Sequence, residues 1–440
     1  MTEGPVPGPR PTPGRTPGPT TSVPTTPEGP TLLGLARNFV YATASAGSAV
    51  LLLAVLVLAA RYLDVEAFGQ FSWAVALATV GESLMDWGLH QVAIRSVARE
   101  RSSAGAVFRS SIALKFVPSV VMVIVLTLIG RWAKSEPDVR LACALLAISA
   151  VMRSYLLTIR GVLQGLERFS WDTAVVLLDR VLLLAFSAAV LLSGGRLVAL
   201  AWAFVAARTV ALTIALAVAR GHIGSLTPTY DPDLWRDLGR HALPLGAFLI
   251  LLNLYSYVDT LMLGVMTTDR ETGLYSAAYR IYEGVTYGAA VLSAVLTPRL
   301  SAEFVRDRIR FASLARQGFW TSIGMAAVLG LITAAIAPLA LHLLFKGSFV
   351  DAARTLQILS VGLLVVFPIW ILQAVAIATA TERVLLRTTA IGVIVNVSAN
   401  FVLIPAAGRD GAALATVIGE AVNVLLLLRG VGWAFRSRGA

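Results

Sequence analysis

The sequence predicts an all-α polytopic membrane protein with about twelve transmembrane helices. Three observations lead there. Hydrophobic residues make up 57% of the 440 residues and charged residues only 14%. With a mean hydropathy of +0.77, the chain is too apolar for a soluble domain. Apolar runs of about 20 residues, enough to cross a bilayer, recur along its length, and the second half echoes the first.

Residues 1–34 come first, and the opening 30 hold ten of the 19 prolines. Such a stretch cannot bury apolar surface, so it is expected to be a disordered, partly polyproline II cytoplasmic tail. It has no apolar core of its own and does not read as a cleavable signal peptide. Its Pro-x-x-Pro spacings admit partner docking as well as a passive role. Six spans follow, near 38–60, 67–90, 111–130, 139–160, 172–193 and 197–219, giving an N-terminal six-helix bundle over 35–219. A polar cytoplasmic linker over 220–240 contains Pro228 and Pro232. Spans near 241–266, 275–298, 317–344, 353–380, 386–406 and 411–428 make a C-terminal bundle over 241–430, and a short basic tail covers 431–440. Pro118, Pro244, Pro298, Pro338, Pro368 and Pro405 are expected to mark helix kinks or ends.

The repeat is the main organising signal. Leu35-Ala36-Arg37 opens the first span and Leu238-Gly239-Arg240 the seventh. Phe68-Gly69-Gln70-Phe71-Ser72 opens the second as Thr272-Gly273-Leu274-Tyr275-Ser276 opens the eighth. Arg95 lies 26 positions after Gly69, and Arg299 lies 26 after Gly273. Glu167-Arg168 and Glu382-Arg383 form a further matching pair. An even number of spans between copies gives both one orientation. Two six-helix bundles related by a pseudo-two-fold along the membrane normal follow, with a ligand site between them.

Charge sets the orientation. The net charge of +11 could point to nucleic acid, but the basic residues are scattered through short loops. With the N-terminus inside, the cytoplasmic tails and loops hold 22 Lys and Arg, the outer loops nine and the spans five. That asymmetry places both termini in the cytoplasm. The single cysteine, Cys143, excludes a disulfide framework. There is no phosphate-binding Gly-x-x-x-x-Gly-Lys-Ser/Thr motif, and the four histidines lack metal-ligand spacing. No metal, cofactor, nucleic-acid partner or catalytic constellation is expected, so the chain does not read as an enzyme.

Several stretches together resemble a bacterial polysaccharide flippase of the multidrug/oligosaccharidyl-lipid/polysaccharide exporter superfamily. They are Gly69-Gln70-Phe71-Ser72, Asp86-Trp87-Gly88-Leu89 with Arg95, and Arg160-Gly161 through Glu167-Arg168. Val258-Asp259-Thr260, Gly273 through Arg280 and Pro298-Arg299-Leu300 continue the series. The run from Asn396 through Asn400-Phe401 and Pro405 to Gly411-Ala412 and Thr416 is the most family-like. The resemblance covers nearly the whole chain after residue 35. It implies alternating-access movement of a lipid-linked oligosaccharide from the cytoplasmic to the outer leaflet of the bacterial inner membrane. Glycosyltransferases and a polysaccharide polymerase are the partners it implies. Some relatives have 14 spans, and the twelve counted here favour the polysaccharide branch over a peptidoglycan precursor.

Charges inside spans are costly and persist mainly where they face a cavity or a partner. Glu82 and Asp86 are four apart and share a helix face; the pair suits ion coupling, or each carboxylate pins helices through an arginine. Arg153, Arg180 and Arg208 lie on spans four, five and six, where guanidinium groups could bind a diphosphate bidentately. Lys115 is the weaker candidate for that role and could instead snorkel to the interface. Arg280 and Glu283 are three apart, near Asp259; they form a static pair joined by Asp259, or a latch that breaks as the bundles rock. Tyr279 and Tyr282 have the flat face and hydroxyl that suit sugar rings. The expected substrate-binding residues are therefore Arg153, Arg180, Arg208, Arg280, Tyr279 and Tyr282, with Glu82, Asp86, Asp259 and Glu283 for ion coupling or gating. Two other functions stay open: a multidrug/cation antiporter of the same superfamily, which needs a mainly acidic cavity, and a membrane-embedded polymerase or ligase, which needs a larger outer loop.

Overall fold

The computed structural model describes residues 47–435 apart from Ala49 and Lys346. The expected tail over 1–34, the start of the first span and the end of the basic tail lie outside the described residues. Among the described residues every regular element is helical. α1 is Val50–Tyr62. It is followed by α2 (Val65–Asp86), α3 (Leu89–Arg99), α4 (Ala104–Ala133), α5 (Pro137–Gly165), α6 (Phe169–Leu192) and α7 (Leu197–Ile223). Then come α8 (Pro232–Met266), α9 (Asp269–Arg306), α10 (Arg308–Phe345), α11 (Ala353–Ala378) and α12 (Glu382–Val431). Among the described residues nine helices are long and apolar enough to cross a membrane, and α1 is a shorter apolar one.

Local chemistry sets the boundaries. The Asp64 carboxylate accepts from the Ala67 amide at 2.8 Å and caps α2. Asp231 caps α8 by accepting from the Leu234 amide at 3.1 Å, with Pro232 in the first turn. The expected second span, 67–90, is interrupted: Trp87 (φ 33°) and Gly88 (φ 87°) are both left-handed and end α2 before α3 begins. The expected linker over 220–240 is largely helical, because α7 runs to Ile223 and α8 starts at Pro232. Expected spans 386–406 and 411–428 are the two arms of α12, divided at Gly408 (φ 55°). All six flagged prolines lie inside helices.

α2 links the two halves of the chain, packing on α5 of the first and on α8 and α9 of the second. Lipid offers little hydrophobic drive between helices, so close packing and hydrogen bonds hold them together. Gly69 on α2 and Gly273 on α9, related by the sequence repeat, touch. A Cβ on Gly69 would strike the Asp269 carbonyl and the Gly273 amide, and one on Gly273 would strike the Val65 carbonyl. The Trp73 indole N–H donates to the Leu261 carbonyl of α8 at 3.1 Å. Phe68 sits against Phe349 with ring centroids 5.6 Å apart. Outward faces such as Phe116, Val117, Val120 and Ile124 on α4 are apolar and exposed, as lipid contact requires.

Candidate functional site

A narrow cleft opens between helices of the two halves. Its wall holds Glu82 on α2, Arg153 on α5, Arg208 on α7, Tyr257 on α8 and Arg280 on α9, set among apolar residues such as Leu52 and Phe204. The charged lining is three guanidinium groups and one carboxylate, a formal excess of two positive charges.

On the N-terminal side Arg153 lies 3.2 Å from Glu82, with the Arg153 side chain 26% exposed and facing the cleft. Arg208 is anchored from behind: its Nη1 donates to the Ser149 carbonyl at 3.1 Å and lies 3.0 Å from the Ser149 hydroxyl. Its Nε is 3.8 Å from Asp179, and Arg180 approaches the same carboxylate at 3.9 Å. One carboxylate is thus shared by two arginines that lie behind or along the wall. The buried Nε and Nη1 of Arg180 and Nε of Arg208 have no hydrogen-bond partner. Neighbouring residues on a helix point about 100° apart, yet the long Arg180 side chain folds back to reach Asp179.

Asp86 is not part of the cleft lining. The fully buried Lys115 Nζ lies 2.5 Å from its carboxylate and donates to the Ser154 carbonyl at 3.0 Å and the Thr158 hydroxyl at 2.7 Å. Lys115 therefore neither snorkels outward nor faces a ligand. Glu82 and Asp86, one turn apart on α2, each have a cation of their own.

On the C-terminal side Arg280 donates to Glu283 at 2.6 Å. Its guanidinium stands 5.6 Å from the Tyr257 ring centroid and 5.9 Å from that of Tyr279. Asp259 does not join this pair. It accepts from the Tyr275 hydroxyl at 2.8 Å, Asn400 Nδ2 at 2.5 Å and the Thr416 hydroxyl at 2.6 Å. Those donors come from α9 and both arms of α12. Tyr282 is also not in the cleft lining: it is 2% exposed, and its hydroxyl sits 2.8 Å and 2.7 Å from the two oxygens of Glu420. Among the described residues, Asp259 and Glu420 have no basic side chain at ion-pairing distance.

Glu420 counts among the charges inside spans and Tyr257 among the clustered tyrosines, but neither they nor Thr416 are among the site residues expected from the sequence. For Tyr257 a signal existed, because it sits in the tyrosine-rich stretch that begins at Tyr255. For Thr416 and Glu420 the spacing on one arm of α12 was visible, but not what that arm faces. Two further links tie the halves at the end away from the arginine-rich loops. Lys134 pairs with Asp269 and donates to the Gly264 carbonyl, and the Gln70 amide bridges Glu136 at 2.5 Å and Asp269 at 3.0 Å. Among the described residues no group of three or more His, Cys, Asp or Glu side chains could hold a metal ion.

Known structures share this architecture. A multidrug resistance MATE family transporter of the MOP superfamily, in an inward-facing conformation, superposes with a TM-score of 0.69 at 16% identity, covering 88% of this chain and 93% of that one. The lipid II flippase MurJ, inward closed, gives 0.72 at 14% identity, covering 90% and 87%. A MOP superfamily transporter from Pyrococcus furiosus, described as having a binding pocket of reverse polarity, gives 0.59 at 15% identity, covering 91% and 94%. Comparison with curated proteins gave no significant match. The family described as polysaccharide biosynthesis protein matches residues 35–304, more than half of the sequence. This multi-pass membrane chain, with the fold of MOP superfamily transporters, belongs to the polysaccharide biosynthesis protein family.

Proposed function

We propose that the protein is a flippase that carries a polyprenyl-diphosphate-linked oligosaccharide from the cytoplasmic to the outer leaflet by alternating access. The observation that carries this reading is the cleft lining, where Arg153, Arg208 and Arg280 outnumber Glu82. A diphosphate presents anionic oxygens that guanidinium groups bind with fixed geometry. Tyr257, in the same lining beside Arg280, offers a ring face to a sugar, whereas Tyr279 is outside the lining and stacked on Tyr275. Glycosyltransferases would supply the ligand and a polymerase would consume it.

Twelve spans in two six-helix bundles, 35–219 and 241–430, joined by the 220–240 linker and related by a pseudo-two-fold, fit this function. The mutual contact of Gly69 and Gly273 supports that symmetry, since equivalent residues meet at a two-fold axis. The arginine-rich loops orient the chain in a bacterial inner membrane with both termini inside. The Lys134–Asp269 and Gln70 links then lie at the outer end, where they hold the cleft shut toward the outside. Of the four carboxylates considered for ion coupling, Glu82, Asp86 and Glu283 each pair with a cation. Asp259 does not, and it sits among hydroxyl and amide groups, so it is the one suited to a monovalent cation.

A cation antiporter is favoured by one observation, the unpaired carboxylates Asp259 and Glu420. Neither lines the cleft, and the groups that do are mainly basic. The two readings separate in proteoliposomes loaded with a fluorescent diphosphate-linked glycolipid. Wild type is expected to flip it, with Arg153→Ala and Arg208→Ala each at least about tenfold slower, a loss of about 1.4 kcal/mol. No flipping by wild type under imposed ion gradients, with efflux of organic cations instead, would establish the antiporter.

A further inference from the structure

Glu420 is a buried carboxyl with no part in the cleft. It lies on the second arm of α12, one turn beyond Thr416, and is 5% exposed. Its surroundings differ from those of Asp259 in the number of donors. Asp259 accepts three hydrogen bonds from three different side chains, enough to hold an ionised carboxylate. The two oxygens of Glu420 face a single phenol, that of Tyr282. One phenol hydrogen can reach both oxygens only as a shared, weakened three-centre bond. Two near-equal distances to one hydroxyl suit a reciprocal pair: the acid O–H donates to Tyr282 Oη, and the Tyr282 O–H donates to the carbonyl oxygen.

The remaining neighbours supply no counter-charge. The titratable groups around Glu420 are Tyr255 and Asp259 on α8 and Tyr279 and Tyr282 on α9. α11 presents Gly362, where an added Cβ would stand 3.2 Å from Glu420 Oε2 and 3.3 Å from the Tyr282 hydroxyl. No side chain of α11 at that point can move in to compensate a charge. Nearby lie two buried polar atoms without partners, the Tyr255 hydroxyl and Asn423 Oδ1. A carboxylate left ionised here would stand among unmet groups in the membrane interior, where an unpaired charge costs several kcal/mol.

We infer that Glu420 is a proton-exchange site: it carries a proton in this conformation and gives it up when the C-terminal helices move. This rests on the transporter reading above and adds to it a proton site separate from Asp259. On release the Glu420 O–H bond breaks, its electron pair stays on the carboxylate, and the proton passes to water; the reverse step reloads it. A route to water exists in outline. Tyr282 neighbours Tyr279 with ring centroids 5.7 Å apart, and Tyr279 neighbours Arg280, which lines the cleft.

The test is infrared spectroscopy of the purified full-length protein in lipid at neutral pH, without ligand. Wild type is expected to show the carbonyl band of a protonated carboxylic acid. Glu420→Gln loses that band, Asp259→Asn keeps it, and Tyr282→Phe moves it to higher frequency by removing its hydrogen-bond partner. Should Glu420→Gln fail to fold, the shift in Tyr282→Phe still decides the assignment. A band unchanged in both variants, or lost in Asp259→Asn instead, overturns it. Exchange is read separately, from the effect of an imposed pH gradient on flipping: the response is expected in wild type and absent in Glu420→Gln. A response retained in that variant removes the exchange role. Because the infrared readout needs no ligand, it stands even if the glycolipid is not the substrate.

Discussion

The two halves of the molecule treat buried charge in opposite ways. In the N-terminal half every embedded acid that was singled out has a basic neighbour: Glu82 has Arg153, Asp86 has Lys115, and Asp179 has both Arg180 and Arg208. In the C-terminal half Arg280 and Glu283 pair at the cleft, but Asp259 and Glu420 are surrounded only by hydroxyl and amide groups. Ion pairs hold helices in place, and Arg153, Arg180 and Arg208 outnumber the acids they meet, Glu82 and Asp179, a surplus that the proposed function would give to an anionic ligand. Carboxylates without cations are free to take up and release small positive ions. On the proposed function, both halves offer arginines to the ligand, Arg153 and Arg208 from one and Arg280 from the other, and only the second also holds acids that could be recharged.

The largest expected effect comes from breaking the most deeply buried pair. Lys115→Met leaves Asp86 uncompensated and is expected to destabilise the fold by about 3–5 kcal/mol, read as a lower unfolding temperature in detergent. Adding Asp86→Leu should recover most of that loss. If Lys115→Met alone is neutral, the N-terminal half is not held by its ion pairs and the contrast fails. Next comes the helix contact between the halves. Gly273→Ala drives a methyl group into the Val65 carbonyl and is expected to cost about 1–3 kcal/mol by overpacking, measured in the same melt. Smallest in stability is Asp259→Asn, which keeps the size of the side chain and is expected to change stability by less than about 1 kcal/mol. Its consequence should appear in transport: flipping by this variant no longer responds to an imposed monovalent cation gradient.

How much of this was visible in the sequence depends on distance along the chain. The Arg280–Glu283 pair was legible because residues three apart on a helix are neighbours whatever the fold. Long apolar runs gave the helices, and glycine at 88 was the one visible hint of the break between α2 and α3; nothing in the sequence marks Trp87 as left-handed. The partners of Asp259 were beyond reach, since Asn400 and Thr416 are 141 and 157 positions away. Likewise, the pairing of Lys115 with Asp86 depends on α4, α2 and α5 meeting at one level. Tyr279 and Tyr282 look equivalent in sequence, three apart on α9. The rotation of the helix puts the first beside Arg280 and the second on Glu420.

The meeting of Gly69 and Gly273 also has a consequence for descent. On the two-bundle reading, a chain of half this length that paired with its own copy would bring one glycine against itself. Any side chain gained there would collide from both directions at once. Fused into one chain, the two positions are inherited separately, yet each is still confined by the backbone of the other. The contact ties the halves together in shape while leaving their interiors free to diverge, one toward arginine and one toward unpaired acid.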